Sequence, residues 1–153
     1  MDKHELKVLL LTGILLSTFL FAVLYAANKK NIDVPACIPY NGVFKEPHVK
    51  QLDKNTYEVF CVARMWAFEP AEISIPEGSE VDFYLTSNDV VHGFHIAKQN
   101  VNMMAVYGGV NKTTVKFNEP GVYKILCHEY CGAGHQNMMA EVIVNRKPIN
   151  NSN

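Results

Sequence analysis

The segment Cys127-His128-Glu129-Tyr130-Cys131-Gly132-Ala133-Gly134-His135-Gln136-Asn137-Met138 sets two thiols, an imidazole and a thioether at the spacing C-x3-C-x3-H-x2-M. This spacing restricts the fold strongly, because the four side chains act together only if one short loop turns them all inward. Gly132 and Gly134 supply backbone angles that other residues resist. Thiolate, imidazole and thioether are soft or borderline ligands, suited to copper and poorly suited to calcium or magnesium. The rest of the chain then has to hold this loop rigid and complete its ligand set.

The flanking sequence reads as β structure. Thr56 to Ala63 is rich in strand formers, Ala71 to Ile75 alternates strictly, and Glu80 to Thr86 is apolar with polar outward positions. Thr113 to Phe117, Val122 to Cys127 and Met139 to Asn145 continue the series, with turns at Pro76-Glu77-Gly78 and Asn118-Glu119-Pro120-Gly121. Short, regularly spaced strands without a helical period predict an all-β sandwich or Greek-key barrel. Cys127 then ends one strand, and the ligand loop runs into the last.

Val8 to Asn28 contains no charged residue. About 20 helical residues span the roughly 30 Å of a bilayer's hydrocarbon core, so this run predicts one N-terminal transmembrane helix. A cleaved signal peptide would have a shorter apolar region, about 7–15 residues, and an A-x-A-like site that is not matched here. Lys3 and Lys7 before the run balance Lys29 and Lys30 after it, so charge does not set the topology. The expected organisation is an anchor at 1–28, a connector at 29–50 punctuated by Pro35, Pro39 and Pro47, a soluble domain at 51–147 and a tail at 148–153. A hydrophobic content of 48% supplies a core even after the anchor is set aside, and a net charge of −1 speaks against a nucleic-acid partner.

Two thiolates four residues apart can bridge two copper ions, and each ion then needs a terminal nitrogen. His135 supplies one. The other comes from Asp89-Val90-Val91-His92-Gly93-Phe94-His95, where His92 and His95 point to opposite faces of an extended segment, so only one of them coordinates. Met138 offers a weak axial thioether, and the carbonyl of Glu129 lies between the thiolates. A single blue-copper ion would leave one cysteine unexplained. A zinc site of Cys127, Cys131, His135 and His92 would leave Met138 without a role. A c-type haem is excluded by the absence of C-x-x-C-H.

VVHGFH followed by CHEYCGAGHQNMM resembles the CuA domain of subunit II of cytochrome c oxidase, and the single span resembles the B-family, or ba3-type, haem-copper oxidases. The resemblance implies a cupredoxin-like fold and two copper ions held by His92, Cys127, the Glu129 carbonyl, Cys131, His135 and Met138. It implies that electrons pass singly from cytochrome c to haem in subunit I, where oxygen is reduced to water with proton translocation. Haems then lie only in the partner subunit, and small further subunits are expected. The soluble domain would be periplasmic and the N-terminus cytoplasmic. Trp66 and Phe68 would mark where electrons enter and the donor docks, with Trp66 as a core aromatic the alternative. Asp89 would orient the ligand histidine, or else be a solvated turn carboxylate. Glu5 would assist proton uptake, or else be solvated before the anchor.

The remaining signals are weaker. Cys37 and Cys61 are expected as free thiols rather than a disulfide, Met103 and Met104 as packing residues, and His128 facing solvent or a partner. From Lys50 onward eleven acidic residues face nine basic ones, which predicts no strong global steering of a charged donor.

Overall fold

The apolar run at the N-terminus forms one continuous helix, α1 (Lys3–Lys30). In this computed structural model, which describes residues 2–30, 36–37 and 44–147, α1 lies in one unit, Met1–Asp33, and the β structure in another, Val34–Asn153. α1 has a mean hydropathy of 2.4 over its best window, none of it buried within the protein, so it is long and apolar enough to cross a membrane. The hydroxyls of Ser17 and Thr18 donate back to the carbonyls of Gly13 and Leu15, at 2.7 and 2.8 Å. Their polarity is thus satisfied inside the helix, as an apolar solvent requires.

The β unit is built from β1 (Ala36–Cys37), β2 (His48–Asp53), β3 (Thr56–Arg64), β4 (Ala67–Glu69), β5 (Glu72–Pro76), β6 (Ser79–Ser87), β7 (His92–Ile96), β8 (Val101–Ala105), β9 (Asn111–Phe117), β10 (Gly121–Leu126) and β11 (Met139–Asn145). One sheet runs β1-β9-β6-β3-β2, with β4 also on β3; the other runs β5-β11-β10-β7-β8. The pairs β3–β6 and β5–β11 are parallel, and the remaining pairs are antiparallel. This is the predicted cupredoxin-like sandwich.

Period-2 alternation decides which side chains enter the space between the sheets. From the first sheet come Val59, Cys61, Ala63, Val81, Phe83, Leu85, Val115 and Phe117; from the second come Ile73, Ile75, Phe94, Ile96, Met103, Ile125, Val142 and Val144. Phe94 meets Phe68 edge-on at 5.4 Å and Phe83 at 5.8 Å, fixing the centre by ring packing. Cys61 is a free, buried thiol whose pKa burial pushes up to about 12. The side chain of Cys37 lies outside the described residues.

Several strands depart from the sequence reading. β2 starts at His48, inside the predicted connector, and all six of its residues are exposed. A strand that buries neither face carries no alternation to read. β3 is buried on both faces over Phe60–Ala63, because the rings of Phe44, His48 and Tyr84 cover Phe60 on its outer side. β4 is only three residues long, too short for a periodic signal.

Candidate metal centre

Cys127 follows directly on β10 and Met138 directly precedes β11, so the last hairpin carries the ligand loop at its tip. Its base is closed by Cys127 N–H donating to Met138 O at 3.2 Å. Within it, a single 3-10 turn over His135–Asn137 is held by His135 N–H to Gly132 O, Asn137 N–H to Gly134 O and Met138 N–H to His135 O. The two glycines serve different needs. Gly132 has φ +118°, which favours glycine. Gly134 has φ −94°, which any residue adopts; the expected backbone freedom is not used there. A Cβ on Gly134 would instead lie 2.4 Å from Cδ2 of Trp66.

The loop gathers its donors around the two thiols. Cys127 Sγ and Cys131 Sγ are 3.8 Å apart and both free. Cys131 Sγ is 3.6 Å from His135 Nδ1 and 3.8 Å from Met138 Sδ, and Cys127 Sγ lies 3.2 Å from the Glu129 carbonyl. His92, the first residue of β7, completes a group in which its ring nitrogen and the two sulfurs all lie within 4.8 Å of one another. Sulfurs at this separation can both reach one ion at a metal–thiolate distance of about 2.3 Å. The six predicted ligand positions therefore come together.

His95 stays apart: its Nδ1 lies 2.9 Å from the Val101 carbonyl. His92 is fully buried, and its Nε2 donates to Asp89 Oδ1 at 2.7 Å, while Nδ1 has no hydrogen-bond partner. A buried, unpartnered ring nitrogen beside two free thiols is costly unless something fills it, and a metal ion is the group that fits this donor set.

Burial pushes the Cys131 thiol up to about 11, and the neighbouring Cys127 adds to the effect. A metal must therefore displace a thiol proton on binding. Burial raises the Asp89 carboxyl as well, but N–H donors from His92, Met65 and Val90 outweigh it and hold the group below its ordinary range.

Trp66 lies across the loop: its indole N–H donates to Cys131 O at 3.1 Å, and the residue is 43% exposed. Phe68, expected beside it at a docking surface, is instead 1% exposed in the core against Phe94. Trp66 lies in the turn before β4, whereas Phe68 is the inward-facing residue of β4, between the half-buried Ala67 and Glu69. Glu5 lies in the helical unit, where its carboxylate accepts Asp2 N–H at 2.8 Å. His128 is exposed, with its ring packed on Gly93, where a Cβ would meet it at 2.5 Å.

Sequence reasoning missed Met65, whose amide donates to Asp89 Oδ2 at 2.7 Å. No side-chain chemistry signals a backbone donor.

Fold and donor set together define a copper-binding domain of cupredoxin-like fold. Comparison with known proteins narrows this. Residues 56–146 match the family model described as cytochrome C oxidase subunit II, periplasmic domain. Cytochrome c oxidase subunit 2 of Thermus thermophilus is 36% identical over 131 residues, covering 84% of this chain and 96% of that one. A chain in the cryo-EM structure of a heme-copper terminal oxidase dimer superposes with a TM-score of 0.82 at 43% identity, over 94% of this chain and all of the other. The periplasmic domain of subunit II of the Bradyrhizobium japonicum cytochrome oxidase shares the fold, with a TM-score of 0.54 at 20% identity over 58% of this chain and 83% of that one. The chain belongs to the cytochrome c oxidase subunit II family.

Proposed function

We propose that this subunit holds two copper ions between His92, Cys127, the Glu129 carbonyl, Cys131, His135 and Met138, and that it passes electrons singly from cytochrome c to haem in subunit I. The observation that carries the reading is the buried, unpartnered Nδ1 of His92, in a ring that lies beside two free thiols. Two thiolates and four further donors are more than one ion needs. Copper in such a set supplies one-electron transfer with little change at its ligands. The protein's part is to keep that set still. Asp89 accepts a hydrogen bond from the Nε2–H of His92, fixing the tautomer that leaves Nδ1 free. Met138 and Cys131 are buried and exclude water from the side toward the core.

The donor meets the exposed side. Met65, Trp66, Val90, Val91 and Tyr130 are exposed apolar residues in the segments that carry the site, and such a patch favours a docking partner held by contact rather than by long-range charge. α1 anchors the subunit with its N-terminus in the cytoplasm and its β unit on the outer, periplasmic side.

Copper content and donor oxidation test the reading. The full-length chain in detergent should carry two copper ions and take up electrons from reduced cytochrome c in stopped flow. One ion per chain, or no uptake, would overturn it.

A further inference from the structure

The two segments that carry the ligands are joined to each other only weakly by sheet hydrogen bonding. β7 and β10 pair at Ile96 with Ile125 and at His95 with Leu126, and the pairing stops there. His92 and the whole loop from Cys127 lie beyond its end. Both are reached by one dipeptide from the opposite sheet, in the turn between β3 and β4. Met65 N–H donates to Asp89 Oδ2, and Asp89 Oδ1 holds His92 Nε2, each at 2.7 Å. The next residue, Trp66, donates its indole N–H to Cys131 O and lays its ring on the loop, where a Cβ on Gly132 would sit 3.1 Å from it and one on Gly134 2.4 Å. Trp66 is too exposed for burial to explain its placement.

We propose that the Met65–Trp66 turn is a brace that sets the spacing between the His92 segment and the cysteine loop, whether or not metal is bound. Trp66 is then a positioning residue, and its function in the copper-loaded protein rests on the reading given above. The brace itself does not, because each of its contacts is a protein–protein contact.

Gly134 gives a selective test. Its backbone angles suit alanine, so only the Trp66 ring opposes a Cβ there. Gly134→Ala should push the exposed ring outward and break its bond to Cys131 O. Amide hydrogen exchange is measured on the metal-free, full-length chain in detergent for wild type, Trp66→Ala, Gly134→Ala and the double variant. Losing one hydrogen bond and its ring contact corresponds to a rise in exchange of about tenfold across residues 127–138. Each single variant should show it, with β6 and β9 unchanged, and the double variant should be no faster than Trp66→Ala alone. Trp66→Phe, which keeps a ring, should recover part of the protection. The optical spectrum of the copper-loaded chain should shift in the same order.

Unchanged exchange in Gly134→Ala would overturn the proposal, as would independent, multiplying effects in the double variant. Failure of the two-copper reading would appear instead in the metal content of the wild type and would leave these exchange rates untouched.

Discussion

The proton on His92 decides what the site can hold. Asp89 accepts from Nε2, which leaves Nδ1 buried and without a partner in a ring that lies beside the two thiols. His95, three residues on, is committed to the Val101 carbonyl. His92→Ala should therefore lose or remodel the copper spectrum, while His95→Ala should keep it; the reverse result would move the ligand to His95. The loop was legible in the sequence because soft donors at fixed spacing are rare and self-reporting. For the second histidine the sequence offered His92 and His95, alternation allowed only one of them to coordinate, and family resemblance chose His92. What the sequence hid at this scale was the support. Gly134 reads like a turn glycine, yet its backbone is ordinary and its missing side chain makes room for Trp66. Phe68 reads like a companion of Trp66, yet it sits on β4, past the turn that holds Trp66, and is buried in the core.

At the scale of elements, the centre of the sandwich depends on a few rings. Phe94 on β7 is fully buried between Phe68 and Phe83, two residues along its strand from His92. Phe94→Ala should cost about 3–5 kcal/mol through lost transfer energy and the cavity left behind. Denaturant unfolding checks this, and a loss below about 1 kcal/mol would mean that the sheets close up around the gap. The strands with one buried face, β5, β6, β9, β10 and β11, were legible within a residue or two, since alternation marks them directly. β2 was not, because all of it is exposed, and β4 was not, because three residues hold no period. The β3–β4 turn matters most to the site and was the least visible, since half its contribution is a backbone N–H.

For the whole molecule, α1 exposes an apolar surface along its length that only a lipid or another apolar partner can cover, and its hydroxyls are already satisfied. The intact chain should stay with the membrane through alkaline carbonate extraction, and release into the supernatant would contradict a retained anchor. Family membership comes from the fold, the ligand loop and the similarity to known subunits over most of the chain. The claim on which the rest depends is that one electron is shared between two copper ions at the tip of the β10–β11 hairpin. Electron paramagnetic resonance of the copper-loaded, full-length chain in detergent tests it most directly. One electron spread over two equivalent copper nuclei gives a seven-line hyperfine pattern, which is the result expected. A four-line pattern would place the electron on a single copper and contradict the account.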